Sequence, residues 1–289
     1  MAAKLQTRQT PSAPMSPENA RAQIAAARSF LLVPGDRPDR FEKAQLSGAD
    51  LVILDLEDGV PPQAREQARS YVRDWLGAGR PALVRINAAD TAWFEQDLTL
   101  SPEKGLLGFV VPKATDAPSL RRVADLRPVV ALIETAAGVI DARRIALTSG
   151  IVRLAIGTID LALDLDVSAE DDVFDPVRLE LALASRAAAL APPIDSVVAE
   201  FGNADAITAS ARRARALGLS SKLAIHPAQL QAIHEAFRPT RIEIERAKRI
   251  VAADAEAGGA AAALDGAMVE RPMVMRAQRT LARSMNYEC

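Results

Sequence analysis

Residues 129–160 decide the fold, and they read VVALIETAAGVIDARRIALTSGIVRLAIGTID. Two short apolar runs, Val129–Ile133 and Ile151–Ile156, flank a segment at 138–148 that has the spacing of a helix. A strand, a helix and a second strand in this order form the βαβ unit that joins parallel strands. Strands this apolar belong to sheets that are covered on both faces. The stretch therefore predicts a parallel sheet covered by helices.

An acidic residue follows each strand of this unit: Glu134 comes directly after the first, and Asp160 comes four residues after the second. Two carboxylates at one edge of a sheet repel each other unless a proton or a cation lies between them. We predict that both bind a divalent cation, for which Mg²⁺ is the best match to oxygen ligands. The alternatives are that Glu134 caps the next helix and that Asp160 is an N-cap or part of a loose acidic loop.

The same pattern recurs along the chain from Ser29 onward. Apolar runs occur at 30–33, 51–56, 82–86, 107–111, 129–133, 151–156, 194–198 and 223–225. Helical segments lie between them, for example at 65–75, 118–126, 176–190 and 203–217. Eight such repeats predict an α/β fold of the (β/α)₈ TIM-barrel class. A doubly wound open sheet is the alternative, but no Gly-x-Gly-x-x-Gly follows an early strand.

Charged and polar residues follow the predicted strands, at the end of a barrel that carries active sites. In chain order they include Arg37, Glu57, Asp58, Arg85, Asn87, Lys113, Glu134, Asp160, Glu200 and His226. Lys113 at such a position has two interpretations, a Schiff-base lysine or a structural and electrostatic one. The paired carboxylates favour the second, because a cation bound to them already supplies an electron sink.

Composition excludes several classes of protein. The chain has 289 residues and a formal net charge of −2, so no basic surface indicates nucleic acid. No apolar run approaches the roughly 20 residues of a membrane span. The single cysteine, Cys289, excludes an internal disulfide framework, and two histidines leave little room for a zinc site. These features predict a cytoplasmic protein.

The chain divides into three predicted parts. Residues 1–28 form a tail and a short helix, which Ser16 caps and Pro17 opens. Residues 29–257 form the barrel domain. Residues 258–289 begin with the glycine pair at 258–259 and form a C-terminal helical lid or arm.

The chain resembles the citrate lyase beta subunit and malyl-CoA lyase family, within the HpcH/HpaI aldolase/citrate lyase superfamily. The resemblance covers almost the whole chain from Arg28 onward. It depends on the order and spacing of the motifs RSFLLVPG at 28–35, AD at 49–50, LDLED at 54–58, VRIN at 84–87, VPK at 111–113, LIET at 132–135, DL at 160–161 and IHP at 225–227.

The resemblance implies a TIM barrel, usually a homotrimer, that is a Mg²⁺-dependent carbon–carbon lyase. Such an enzyme cleaves a 3-hydroxyacyl-CoA, namely citryl-CoA, malyl-CoA or citramalyl-CoA, to acetyl-CoA and a 2-oxo acid. An acyl carrier thioester is an alternative substrate. Two other functions stay open: a metal-dependent aldolase acting on free hydroxy acids, and a non-catalytic relative that only binds acyl-CoA.

The resemblance also implies roles for individual residues. Glu134 and Asp160 match the two protein ligands of Mg²⁺, and Arg85 matches the arginine that binds substrate oxygens, with simple pairing to Glu57 or Asp58 as the alternative. The remaining matches are CoA-phosphate contacts by Arg37, Arg40 and Lys43, and acids that hold the metal's waters at Glu57 and Asp58.

Two positions differ from the family pattern. Ile159 stands where many relatives have an acid just before the metal-binding aspartate. In the C-terminal segment, MVERP at 268–272 matches a motif whose catalytic aspartate enters the adjacent subunit's site. Glu270 is therefore the predicted catalytic residue of that segment, with its carboxylate one methylene further out.

Overall fold

The computed structural model describes residues 16–257, 262–265 and 267–285. These residues fall into two compact units, which divide between Ile233 and His234. The first unit contains a closed barrel of eight parallel strands in chain order. Its last strand pairs with its first, so the sheet has no free edge. The (β/α)₈ prediction is confirmed.

The strands of the barrel match the apolar runs of the sequence closely. They are β1 (Ser29–Pro34), β2 (Leu51–Asp55), β3 (Ala82–Arg85), β4 (Leu106–Val111), β5 (Val129–Ile133), β6 (Ile151–Ile156), β7 (Ile194–Asp195) and β8 (Ser221–Ala224). Leu, Ile and Val dominate them, because strands of a barrel are buried both against its interior and against the surrounding helices.

Helices follow most of the strands. Those before the unit boundary are α1 (Pro17–Ala26), α2 (Phe41–Gln45), α3 (Arg65–Gly77), α4 (Phe94–Leu98), α5 (Pro118–Leu126), α6 (Ala136–Leu147), α7 (Thr158–Leu165), α8 (Asp175–Ala187) and α9 (Ala204–Ala216). Helix α10 (Leu230–Phe237) spans the boundary. None of the helices in the described ranges is both long and apolar enough to cross a bilayer.

The second unit is small and has its own apolar cluster. It contains α11 (Arg241–Ala257), the short antiparallel strands β9 (Ala262–Leu264) and β10 (Ala267–Val269), and α12 (Arg271–Met285). Val269 and Val274 pack with Ile250 in its core. The sequence did not indicate this strand pair. The glycine pair of the predicted hinge, at 258–259, lies outside the described residues, and the predicted lid stays a prediction.

The last two barrel strands differ from the sequence prediction. Strand β7 ends at Asp195 rather than at residue 198, and the Val198 carbonyl accepts a hydrogen bond from Gln229 Nε2 at 2.7 Å. Strand β8 begins earlier than predicted, at Ser221. The prediction relied on apolar residues, whereas Ser221 and Lys222 are polar yet buried. Lys222 is paired there with Asp195, which compensates the cost of burying its charge.

The amino-terminal end of the barrel is covered by α1, which contacts both β4 and β6. Arg153 of β6 is fully buried and donates hydrogen bonds to the carbonyl oxygens of Ile24 (3.2 Å), Ala27 (2.7 Å) and Pro192 (2.9 Å). The first two carbonyls lie at the C-terminal end of α1, where a helix leaves its acceptors unpaired. Helix α1 is thus part of the barrel core.

Candidate functional site

Glu134 is held from two sides at the carboxyl end of β5. It is 2% exposed, and its Oε1 accepts a 2.9 Å hydrogen bond from the backbone N–H of Lys113, which follows β4. Lys113 has φ +47°, an uncommon left-handed conformation for a lysine. On the other side, a Cβ added at Gly157 would lie 2.5 Å from Glu134 Oε2. Neighbouring strands therefore fix this carboxylate with backbone atoms.

Burial raises the pKa of Glu134 to about 8, and the charges of Glu57 and Asp160 act in the same direction. The N–H of Lys113 and the charge of Arg85 oppose them without cancelling them. The anion is thus disfavoured in the protein alone, and a cation bound beside it would stabilise the charged form. Glu134 does not cap α6, because Thr135 Oγ1 accepts the cap hydrogen bond from Gly138 N at 3.1 Å.

Asp160 lies in the first turn of α7 and is half-buried. It is not the N-cap, a position occupied by Gly157. The start of α7 is held by Ser196, whose Oγ accepts hydrogen bonds from the N (3.1 Å) and Oγ1 (3.0 Å) of Thr158. Within the part of the chain that the structure describes, no hydrogen bond or ion pair engages the Asp160 carboxylate. That carboxylate can therefore accept a ligand.

Arg85 ends β3 and is paired chiefly with Asp55. Its Nε lies 2.7 Å from Asp55 Oδ1, and one terminal nitrogen lies 2.6 Å from Asp55 Oδ2. The other terminal nitrogen lies 3.2 Å from Glu57 Oε2. Burial opposes the charge of Arg85, but Asp55 outweighs it and raises its pKa above the usual value. The structure thus shows pairing with Glu57 but not with Asp58, and it adds Asp55, which the sequence reasoning missed.

Glu57 joins Arg85 to Lys113. Its Oε1 accepts a 2.8 Å hydrogen bond from Lys113 Nζ, and burial raises the pKa of its carboxyl. Glu57 Oε2 is buried and, among the described residues, receives no hydrogen bond, since the nearby Arg85 nitrogen is poorly aligned with it. Asp58 beside it is exposed.

The site carries more negative than positive charge. Four carboxylates, those of Asp55, Glu57, Glu134 and Asp160, accompany two cations, Arg85 and Lys113. Among the described residues no three His, Cys, Asp or Glu side chains converge as a ready-made metal cage. Mg²⁺ does not require one, because it keeps several waters and is commonly held by one or two carboxylates plus substrate. The excess charge, the Glu57 oxygen that receives no hydrogen bond among the described residues, and the accessible Asp160 fit such an ion.

The four other predicted site residues are all exposed. Arg37, Arg40 and Lys43 are exposed in the segment after β1, and Arg37 pairs with Asp39 at 2.9 Å. Glu270 is exposed in the second unit, directly before α12. The roles predicted for these four residues stay predictions.

Replacing Gly157 with alanine should displace the Glu134 side chain without removing any polar group. The added methyl would come within 2.5 Å of Glu134 Oε2 and 2.8 Å of its Cβ, so the carboxylate must move. We expect about a 10²-fold loss of activity, the typical cost of displacing a reacting group by about an ångström. Gly202→Ala is the matched control, since a Cβ there meets nothing within 4 Å. Equal activities for the two variants would contradict the assignment.

Comparison with known proteins adds the family context. The family model described as "HpcH/HpaI aldolase/citrate lyase" matches residues 28–227. A second model, described as "C-C_Bond_Lyase of the TIM-Barrel fold", matches residues 197–289. A (3S)-malyl-CoA thioesterase of Cereibacter sphaeroides is 36% identical over 89% of this chain and 94% of its own length. A citrate lyase subunit beta-like protein of Deinococcus radiodurans is also 36% identical, over 89% and 97%.

Solved structures give the same picture. The crystal structure of CitE from Mycobacterium tuberculosis in complex with magnesium, acetoacetate and coenzyme A has a TM-score of 0.81 and 34% sequence identity to this chain. The similarity covers 90% of this chain and 99% of that one. Another structure of the same protein contains magnesium and pyruvate, at 31% identity and a TM-score of 0.73.

Proposed function

This chain belongs to the HpcH/HpaI aldolase/citrate lyase family, and on that basis we propose that it is a Mg²⁺-dependent lyase of 3-hydroxyacyl-CoA thioesters. The substrate is citryl-CoA, malyl-CoA or citramalyl-CoA, and the products are acetyl-CoA and oxaloacetate, glyoxylate or pyruvate. The observation that carries the proposal is the site at the strand ends, where Glu134 lies within electrostatic range of both Asp160 and Arg85. An enzyme of this kind needs oxygen ligands for a cation beside a guanidinium that binds substrate oxygens.

Glu134 and Asp160 would hold the ion. Bound Mg²⁺ would supply Lewis-acid stabilisation of the negative charge that develops on the substrate's oxygens. Binding requires Glu134 to be ionised, and the pKa of this carboxyl is raised to about 8, so protons should compete with the ion at lower pH and the affinity for Mg²⁺ should increase as the pH approaches about 8.

Arg85 would supply the second positive group. Its guanidinium has five N–H bonds, and the two hydrogen bonds to Asp55 use the one on Nε and one on a terminal nitrogen. The other terminal nitrogen lies near Glu57 without donating a hydrogen bond to it, so N–H groups on both terminal nitrogens are left to donate to a substrate carboxylate or carbonyl oxygen. A planar, permanently charged donor suits both groups.

Cleavage breaks the bond between the α-carbon of the acyl-CoA and the carbon bearing the hydroxyl. The hydroxyl loses its proton and becomes the carbonyl of the 2-oxo acid, the electron pair of the broken bond moves to the α-carbon, and that carbon takes up a proton to give acetyl-CoA. We assign the proton transfer to Glu270, delivered by the C-terminal segment, and the CoA phosphates to Arg37, Arg40 and Lys43. A homotrimer and a cytoplasmic location remain predictions.

Two assays on one substrate panel test the reaction. Citryl-, malyl- and citramalyl-CoA are each supplied with Mg²⁺, and the 2-oxo acid and the free CoA thiol are measured separately. A lyase releases the 2-oxo acid with no free thiol, whereas a hydrolase releases thiol with no 2-oxo acid. Hydrolysis is the second candidate function, favoured by the relatives named (3S)-malyl-CoA thioesterase. Absence of both products with every ester, together with acetyl-CoA binding, would indicate a non-catalytic binder.

Lys113 should not form a Schiff base. Although burial favours its neutral form, the hydrogen bond and charge of Glu57 raise the pKa of its ammonium above the usual value, and a protonated amine is not a nucleophile. We expect no covalent adduct when borohydride is added with pyruvate or oxaloacetate, as measured by intact mass. A borohydride-dependent mass increase mapped to Lys113 would overturn the metal mechanism.

A further inference from the structure

We propose that Asp55 is a positioning residue, whose one task is to hold the Arg85 guanidinium in its working orientation. The pairing is built into the sheet. In the register of β2 and β3, Asp55 lies directly opposite Arg85, so both side chains leave the barrel wall at the same level. They meet through two parallel hydrogen bonds of 2.7 and 2.6 Å, the fork-to-fork geometry that fixes the plane of a guanidinium.

Asp55 is itself immobilised by the loop that follows β2. Its Oδ1 accepts a hydrogen bond from Glu57 N at 3.0 Å, and its Oδ2 accepts one from Gly59 N at 2.9 Å. The loop closes this tightly only because residue 59 has no side chain, since a Cβ there would lie 2.4 Å from Asp55 Oδ2.

These four hydrogen bonds decide what Asp55 does. Each oxygen accepts two of them, which uses all the acceptor sites of a carboxylate. The side chain is 4% exposed. Asp55 therefore has no capacity left for a metal, a water or a substrate, and it differs in this from Asp160 and from Glu57, whose Oε2 lacks a hydrogen bond among the described residues.

Asp55 therefore fixes the orientation of the Arg85 guanidinium and stabilises its charge. The Arg85 side chain is 13% exposed, and Asp55 compensates the burial of its charge. With the Nε edge of the guanidinium held by Asp55, the plane of the group is fixed, and with it the directions in which the remaining N–H groups can donate. The catalytic meaning of this orientation rests on the proposed function, whereas the positioning itself can be tested without it.

The test is a double-variant cycle with Asp55→Asn and Arg85→Gln. In Asp55→Asn the amide nitrogen meets N–H donors on whichever side it lies, so the guanidinium loses half of its support. We expect kcat/KM to fall about 10²-fold, which corresponds to an ångström-scale displacement. Arg85→Gln should lower it at least as much. If Asp55 acts only through Arg85, then adding Asp55→Asn to Arg85→Gln costs nothing further.

Thermal unfolding of the same four proteins gives a readout that needs no substrate. Each single variant leaves one buried charge without its partner and should lower Tm, whereas the double variant removes both charges and should recover part of the loss. Glu95→Gln on α4, which breaks the exposed bidentate pair with Arg122 of α5, is the control and should change neither activity nor Tm.

Chemical rescue separates positioning from a general structural role. Guanidinium ion added to Arg85→Ala should restore part of the activity, because the Asp55 carboxylate still presents its two acceptors. The same ion should not rescue Arg85→Ala combined with Asp55→Asn. Additive losses in kcat/KM, or equal rescue with and without Asp55, would overturn the proposal. If the wild-type protein cleaves no thioester, the proposed function fails, and the Tm cycle alone decides whether Asp55 holds Arg85.

Discussion

Glu134→Gln is expected to abolish Mg²⁺-dependent cleavage while making the metal-free protein more stable at about pH 8. Loss of a carboxylate ligand removes the ion, and we expect activity to fall at least about 10³-fold. The hydrogen bond from the N–H of Lys113 survives, because a glutamine oxygen accepts it equally well.

The gain in stability follows from the sign of the pKa shift. The pKa of this carboxyl is raised from 4.5 to about 8 on folding, so between those values the unfolded chain loses its proton while the folded chain keeps it. Stability then falls as pH rises through this window and levels off above it. Glutamine does not ionise, so the variant lacks this loss, which amounts to roughly 1.4 kcal/mol for each pH unit crossed.

Urea unfolding with a chelator present, at about pH 5 and about pH 8, measures the effect. The stability of Glu134→Gln minus that of the wild type should grow from the lower to the higher pH, and added Mg²⁺ should stabilise only the wild type. Asp166→Asn is a matched control for activity, since Asp166 is exposed at the far end of the helix that carries Asp160. A constant stability difference across the two pH values, or full activity in Glu134→Gln, would refute the assigned role.

Arg153→Met should destabilise the protein by about 3–5 kcal/mol and leave the chemistry of the site intact. The guanidinium serves the Ile24, Ala27 and Pro192 carbonyls as well as the hydroxyls of Ser220 and Ser221. Methionine fills similar volume but donates nothing, so these buried acceptors are left without a partner, at a cost of about 1–3 kcal/mol for each one that stays unpaired.

Chemical denaturation and steady-state kinetics below the unfolding transition separate the two effects. The control is Arg143→Met, which breaks the exposed pair of Arg143 with Glu180 and should cost less than about 1 kcal/mol. Similar stability losses in the two variants would show that Arg153 does not secure α1. A large loss of kcat in the folded Arg153→Met protein would show that the two ends of the barrel are coupled.

The barrel was predictable from sequence because its strands are buried on both faces and therefore read as uninterrupted apolar runs. The prediction was least accurate where this rule weakens. At β8 the residues Ser221 and Lys222 are buried through pairing rather than through apolar character, and only the neighbouring element that carries Asp195 explains them. Such a partner is distant in sequence, so no local pattern reveals it.

The placement of candidate residues at the strand ends was predictable, but their contacts were predictable only in part. The strand-end rule placed Glu134, Asp160 and Arg85 there, but it offered Glu57 or Asp58, and not Asp55, as the partner of Arg85. Strand register decides that question, since Asp55 lies opposite Arg85. A sequence signal existed, because an aspartate that ends one buried strand and an arginine that ends the next are at matching heights.

The hydrogen bonds in which backbone N–H groups hold the site in place were not predictable from the sequence. The N–H of Lys113 reaches Glu134 only because Lys113 adopts a left-handed conformation, and nothing in the residue type announces this. The hydroxyl of Ser196 fixes the start of α7 from beyond a strand of only two residues. These features depend on exact chain paths, which apolar periodicity does not encode.

The contact between Arg153 and α1 bears on where the chain can be shortened. The similarity to the family begins at residue 28, so an alignment alone would recommend a recombinant protein trimmed to that point. Such trimming would remove Ala20 and Ile24 and expose the apolar side chains that pack against them. It would also expose the buried guanidinium of Arg153 to water, because the α1 carbonyl that accepts its hydrogen bond would be gone. We expect such a shortened protein to aggregate into inclusion bodies, because one end of its barrel is uncovered and not because its catalytic centre is damaged.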